Sequence, residues 1–334
     1  MSGIDDLLKA LDKEIGKNSD AACVTQFIDT GYPPLNKIMS GRYDGGLPFG
    51  RMVELYGGSS SGKTAIATRW MINAQKMGGI AIFVDWERSF DVDMAISMGL
   101  STERPYWIYA RPKTWEEGNI VATKACRVIR ESKVIAEDAP IIAIFDSIAS
   151  ALPKSSSGKE IDEFTMNDTT ALARVTSTTL KNQAQQCADY NATYVYLNQV
   201  RDSMSMYGSS VTTPGGKAME FYATVRLELS RQKIMQESGK DKEMIGQNIN
   251  VKCTKSKMTA PFKSCQIRMS FDELGMASFD EASSLIDYLI TKSVFPAKGY
   301  IEWKEAKFNG RKQLSNHINE KGEYEELKKC LSSL

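Results

Sequence analysis

Residues 57–64 read GGSSSGKT, which places Gly57, Gly62, Lys63 and Thr64 at the spacing G-x-x-x-x-G-K-[ST]. That spacing suits one kind of chemistry. A glycine-rich turn lets the backbone N–H groups of Gly57, Gly58, Ser59, Ser60, Ser61 and Gly62 approach phosphate oxygens, because no Cβ blocks them. Lys63 then sets a cation on the β- and γ-phosphates of a nucleotide, and the Thr64 hydroxyl is a ligand for Mg²⁺. The expected ligands are a nucleotide phosphate and Mg²⁺.

Phosphoryl transfer to water needs more than a cradle. Asp146 closes the apolar run 141–145 and is the acid expected to hold the Mg²⁺ shell, with Ser147 beside it. Glu87, two residues past the run 80–85, is the candidate for orienting the attacking water; the plainer alternative is an ion pair with Arg88. Gln199 ends another β-rich run, and a segment rich in Ser, Thr, Gly and Met follows it at 200–216. A strand-end amide can sense a γ-phosphate and order such a loop, or it can simply cap its strand. His317 is the one histidine, so chemistry that depends on histidine pairs is excluded.

These residues need a scaffold that gathers them at one edge. Strands are expected at 52–56, 80–85, 140–146 and 193–199, with helices at 65–77 and 115–133 between them. Continuous apolar strands alternating with helices indicate an α/β fold with a mostly parallel sheet covered on both faces. Ligands bind such sheets beyond the carboxyl ends of the strands, where the phosphate loop, Asp85, Glu87, Asp146 and Gln199 all fall. Runs at 223–231, 247–257 and 264–271 lack intervening helices and predict an antiparallel extension. Ahead of the core, Ile4, Leu7, Leu8, Leu11 and Ile15 make the stripe of an amphipathic helix, and Gly31, Pro33 and Pro34 read as a linker. After Asp272, the lysines and arginines of 292–312 face only Glu302 and Glu305, which predicts a small basic C-terminal domain.

Composition sets outer limits. The chain has 334 residues, 42% hydrophobic and 25% charged, with a net charge of +1, so polyanion binding must come from local patches. No apolar run reaches the roughly 18 residues of a membrane span, and the charged N-terminal region is not a secretory signal. Six cysteines without a C-x-x-C pair fit a reducing cytoplasm; Cys253 and Cys265 could face each other across strands, but as reduced packing residues.

Together these residues resemble the RecA-type recombinases over nearly the whole chain. The resemblance is carried by GGLPFGR at 45–51, the phosphate loop, DWE at 85–87, FDS at 145–147 and NQVR at 198–201. It continues in PGGKA at 214–218, FYATVRL at 221–227, and the Lys255-Ser256-Lys257 segment before APFK at 260–263. It implies a RecA-like phosphate-loop ATPase core at 37–272, preceded by an oligomerisation helix and linker at 1–36 and followed by the domain at 273–334. Position by position it implies nucleotide contacts from Asp91 as well as the loop, water activation by Glu87, and γ-phosphate sensing by Gln199. Lys255 and Lys257 would reach a neighbouring subunit's ATP; as residues i and i+2 of a strand they share a side, which also suits a merely solvated basic edge.

The resemblance further implies two DNA-binding loops. The first, about 155–168, leads into a helix bearing Arg174, Ser177 and Lys181. The second, about 201–216, brings Arg201, Met204, Met206, Tyr207, Gly215, Gly216 and Lys217. Leu7, Leu8, Leu11 and Phe221 would lie at the subunit interface.

Some positions depart from the pattern. Met94 replaces the tyrosine that stacks on adenine, Asn250 a basic residue and Glu220 an interface lysine; the second loop is about one residue shorter, and no acidic C-terminal tail follows. Such departures look more like a phage-encoded or otherwise divergent relative than a housekeeping bacterial copy. The implied activity is ATP-dependent filament formation on single-stranded DNA, with pairing and strand exchange against homologous duplex DNA. The partners are DNA, further copies of the chain, and single-strand-binding and loader proteins. The location is the cytoplasm, the host's if phage-encoded. Two alternatives stay open: a hexameric RecA-fold helicase, and a filament or accessory DNA-binding protein that binds ATP without hydrolysing it.

Overall fold

Strands that are apolar at every position need cover on both faces, and the fold supplies it. A computed structural model describes residues 2–15, 24–163, 165–203, 210–238, 241–272 and 275–334. α1 (Ser2–Ile15) comes first. β1 (Phe27–Ile28) pairs antiparallel with β2 (Leu47–Pro48), bracketing α2 (Pro33–Ser40). The alternating core then runs β3 (Met52–Gly57), α3 (Lys63–Lys76), β4 (Ile80–Asp85), α4 (Val92–Ser97), β5 (Trp107–Ala110), α5 (Trp115–Ser132), β6 (Ile141–Asp146), α6 (Met166–Asp189) and β7 (Ala192–Gln199).

Beyond β7, a small hairpin of β8 (Arg201–Ser203) and β9 (Ser210–Thr212) precedes α7 (Ala218–Tyr222). The chain returns through β10 (Val225–Ser238), β11 (Asp241–Ser256), β12 (Ser264–Phe271) and β13 (Ala277–Phe279). It closes with α8 (Glu281–Thr291), β14 (Tyr300–Trp303), β15 (Ala306–Asn309), α9 (Gly310–Lys321) and α10 (Tyr324–Lys329).

The main sheet has the order β13-β12-β11-β10-β3-β7-β6-β4-β5. From β10 to β5 every neighbouring pair is parallel, and from β10 to β13 every pair is antiparallel. Period-two alternation splits the core. Val53, Leu55, Ala81, Phe83, Ile142 and Ile144 pack on one face with Trp70 and Met71 of α3. Met52, Ile80, Ile82, Val84, Ala143 and Phe145 pack on the other with Trp115 and Cys126 of α5 and Leu180 of α6. Burying Phe83 and Phe145 completely contributes roughly 1.5–3 kcal/mol each.

Two expectations are corrected. The stretch containing Pro33 and Pro34 is a buried helix, not a linker. Proline at the first helical positions loses no hydrogen bond, and Gly41 at φ 85° ends the helix with its N–H on the Lys37 carbonyl. Asn36, fully buried in this helix, accepts from Thr30 and donates to Asp29 and to the Tyr43 carbonyl.

The segment after Asp272 is not basic as a whole, because its nine lysines and arginines meet ten acids. Lys304 pairs with Glu323 and Glu326, Lys307 with Glu302, and Arg311 with Asp287. Nor does it have a core to itself: Leu285, Leu289, Leu314, Ile318 and Leu327 join the α3 side of the main core. Tyr32 donates to the Ser284 carbonyl at 2.9 Å, and Arg69 of α3 pairs with Glu281. β10 and β11 also outrun the strands expected from sequence, forming one long antiparallel ribbon from Val225↔Ser256 to Ser238↔Asp241.

Candidate active site

Parallel register brings the carboxyl ends of the central strands level: Gly57 pairs with Gln199, and Asp85 with Asp146. The phosphate loop leaves β3 at this edge and enters α3. Two of its glycines are required by their surroundings. A Cβ on Gly57 would lie 2.3 Å from the Leu229 carbonyl oxygen, and Gly62 caps α3 at φ 91° with Ile249 at 2.4 Å from where its Cβ would be. Lys63 Nζ donates to the carbonyls of Gly57 at 3.1 Å and Gly58 at 2.8 Å. Burial lowers the Lys63 pKa, opposed by Asp146 and Glu87.

Thr64 Oγ1 donates to Asp146 Oδ2 at 3.0 Å, so the two residues expected at the metal do meet. Asp146 is nearly enclosed. Burial, then the Glu87 charge, push its pKa up to about 7. A hydroxyl beside a carboxylate short of positive charge is a donor set suited to a small hard cation.

Glu87 is held by serines and an amide. Its Oε1 accepts from Ser147 Oγ, from Ser150 Oγ at 3.2 Å and from Gln199 Nε2 at 3.1 Å. Arg88 instead gives its backbone N–H to Asp85 Oδ1 at 2.6 Å, and Tyr109 OH donates to Asp85 Oδ2, also at 2.6 Å. Asp85 therefore fixes the turn that presents Glu87.

Around these groups lies a cleft of about 440 Å³. The loop residues 59–64, Glu87, Asp146, Gln199 and Met94 form one wall; Arg231, Met244, Gln247, Met269 and Phe271 form the other. That second wall comes from β10, β11 and β12, and no local sequence signal marks it. Asp91 is not among the lining residues; its carboxylate caps α4 by accepting from Met94 N at 2.9 Å. Lys255 and Lys257 do not line this cleft either. Their ammonium groups share the Phe221 carbonyl, at 3.1 and 3.4 Å, and Lys255 also reaches the Glu220 carbonyl at the end of α7. The two lysines thus lie on one side, as their spacing predicts. Phe221 is 71% exposed, and Ile4 and Leu7 of α1 are exposed too. The side chains of Leu8 and Leu11 lie outside the described residues.

The described end of the second expected DNA loop packs on the helix that follows the first. Arg174, Ser177 and Lys181 are exposed on α6 at helical spacing. Gly215 and Gly216, at φ 88° and 72°, pack on the same helix against Thr176 and Ala173, with exposed Lys217 next in the chain. In the first loop Lys159 Nζ donates to both oxygens of Asp168, at 2.7 and 2.9 Å. Lys159, then Thr165 and Ser156, hold the Asp168 carboxyl well below the usual range. Of the second loop, Met204, Met206, Tyr207 and the side chain of Arg201 fall outside the described residues.

A doubly wound, mostly parallel sheet with a phosphate loop at its carboxyl edge and an acid on a neighbouring strand end defines a phosphate-loop protein of the α/β class. The model of the RecA N-terminal domain matches residues 3–276. Protein RecA of Amycolatopsis mediterranei is 32% identical over 300 residues, covering 87% of this chain and 79% of the relative. Protein RecA of Chlamydia trachomatis is 30% identical over 321 residues, covering 95% and 84%. That of Lactococcus lactis is 30% identical over 325 residues, covering 94% and 79%. This chain belongs to the RecA family and is a RecA-type recombinase. Among its described residues no helix is long and apolar enough to cross a membrane.

Proposed function

We propose that the chain is a DNA-dependent ATPase that polymerises on single-stranded DNA in the cytoplasm and exchanges that strand with homologous duplex DNA. The observation that carries this reading is the hydrogen bond from Gln199 to Glu87. It joins the carboxylate poised beside the phosphate loop to the strand that runs directly into the second loop, so that nucleotide state and loop state can be read through one contact.

In this reading the loop residues 57–64 cradle the ATP phosphates and Lys63 exchanges its loop carbonyls for phosphate oxygens. Thr64 Oγ1 and Asp146 would hold Mg²⁺, which when bound supplies charge neutralisation on the β- and γ-phosphates. Glu87, steadied by Ser147 and Ser150, orients the attacking water and takes its proton. Asp91 contributes to the nucleotide site through α4, which it caps. Lys255 and Lys257 complete the site of the neighbouring subunit, with Phe221 and α1 at the joint. The exposed face Arg174, Ser177 and Lys181, together with Gly215, Gly216 and Lys217 and the loop residues Arg201, Met204, Met206 and Tyr207, holds DNA. Backbone N–H groups and cations contact phosphates while Met and Tyr contact bases without sequence preference.

The test is phosphate release measured with no DNA, with single-stranded DNA and with duplex, alongside electron microscopy and a strand-exchange assay. Stimulation by single strands, filaments whose length follows the DNA, and exchanged product are expected. Closed rings would point to a helicase. DNA binding without stimulated hydrolysis would leave an accessory protein.

A further inference from the structure

Glu54 is a carboxylate where the fold asks for none. It lies in the middle of β3 with 0% exposure, between the apolar residues Val53 and Leu55, and its strand is hydrogen-bonded on both sides. Burying a charge costs several kcal/mol before any partner is found, and an apolar residue of similar size is often neutral or better for stability. What the carboxylate does is hold two separate parts of the molecule at once.

Its Oε1 accepts from Asn198 Nδ2 at 2.9 Å. The same Nδ2 donates to the Pro214 carbonyl at 3.0 Å, where the second loop re-enters the core. Asn198 Oδ1 accepts from the backbone N–H of Gln199 at 3.0 Å, which sets the residue that reaches Glu87. Glu54 Oε2 accepts from Arg226 Nε at 2.6 Å. Arg226 is directly opposite Glu54 in the parallel register, lies over the Tyr56 ring, and pairs with Glu220 at 3.5 Å. The carbonyls of Glu220 and Phe221 are where the ammonium groups of Lys255 and Lys257 rest. One oxygen thus faces the exit of the second loop and the start of the Gln199 contact; the other faces the end of α7 and the lysine pair.

We propose that Glu54 is a positioning residue that couples the second loop and Gln199 to the Lys255–Lys257 pair, so that engagement of the loop changes how the lysines are presented. This rests on the function proposed above. Asn198 gives one amide N–H to Glu54 and the other to Pro214, so a shift of Pro214 that turns the amide alters the hold on Glu54 Oε1. The rigid carboxylate passes that shift to Arg226 through Oε2, and Arg226 passes it to Glu220 on α7.

Two variants test the coupling. Glu54→Met with Arg226→Met removes both charges together and fills the space, which satisfies a purely structural role. Asn198→Ala keeps the Glu54–Arg226 ion pair and removes the side-chain link from Glu54 to Pro214, together with the hold on the Gln199 N–H. Full-length protein is assayed for affinity for a fluorescent ATP analogue without DNA, and for the ratio of ATP turnover with and without single-stranded DNA. Both variants are expected to keep DNA-free affinity within about twofold while the stimulation ratio falls about tenfold, a size typical of coupling between sites. A ratio preserved in either variant overturns the assignment of Glu54 alone, as does a loss of DNA-free affinity in step with the ratio, which makes the residue merely structural. Wild-type protein without any DNA stimulation overturns the proposed function, and this inference with it.

Discussion

Gln199 Nε2 lies 3.1 Å from Glu87 Oε1, so the amide at the end of β7 reaches over β6 to the carboxylate beyond β4. An amide that senses the γ-phosphate must share or surrender this bond. Gln199→Met, which keeps the length and removes the donor, is therefore expected to bind nucleotide normally and to lose about tenfold or more of its DNA-stimulated turnover. Steady-state phosphate release with and without single-stranded DNA measures it. Unchanged stimulation would remove Gln199 from the relay.

Glu87→Gln keeps the contact geometry with Ser147 and Ser150 but cannot take a proton from water. Turnover is expected to fall by about 10²–10⁴ while ATP and DNA binding persist. Single-turnover hydrolysis beside DNA-binding anisotropy separates the two. Wild-type turnover in this variant would assign Glu87 to structure.

Asp146 sets stability against function. Folding raises its pKa from 3.8 to about 7, burial first and Glu87 next, so its ionised form destabilises the folded chain. That penalty is complete above pH 7 and fades as pH falls towards 3.8. Asp146→Asn should raise the melting temperature of the ligand-free protein by at least about 2 °C at pH 8 and by less at pH 5. The same variant should lose Mg²⁺-dependent hydrolysis. A lower melting temperature at pH 8 would show that Asp146 does not carry this penalty.

The phosphate loop, Asp146, Glu87 and Gln199 were legible because each is a local pattern, a motif or a polar residue closing an apolar strand, and parallel register does the rest. Glu54 was not. It reads as one polar letter in a strand, and its meaning depends on Asn198 and Arg226, 144 and 172 residues away. The second wall of the cleft was hidden for the same reason, since Met244, Gln247 and Phe271 arrive on antiparallel strands from far along the chain. Pro33 and Pro34 misled in the other direction. Proline breaks a helix from inside but starts one from its first turn, and only the burial of α2 distinguishes the two.

Assembly should reveal whether the lysines act in trans. Lys63→Ala is expected to abolish nucleotide-dependent filaments, and Lys257→Ala to lower ATPase only once filaments form. Mixed together, the two variants create some junctions in which an intact phosphate loop meets an intact lysine pair. Partial recovery of turnover across mixing ratios is expected; none at any ratio would count against a shared site.

Lys255 also predicts an alkaline limit. Burial, then the neighbouring Lys257 and Arg226 charges, bring its pKa down to about 8, so the free chain loses this cation as pH rises through that value. The rate of filament formation should decline through pH 8 in wild type and stay level to pH 9 in Lys255→Arg, whose guanidinium keeps its charge. Parallel profiles would place the limit elsewhere.

The ribbon of β10 and β11 has a consequence for the geometry of an assembly. Gln247 lines its own chain's cleft, and Lys255 stands eight residues further along the same strand. At about 3.3 Å per residue the two are roughly 26 Å apart. With the lysines serving a neighbour, each ribbon becomes a ruler between consecutive nucleotides, graduated by backbone pairing rather than by flexible side chains. Twist along that ruler, more than any single contact, would then set the rise and rotation from one subunit to the next.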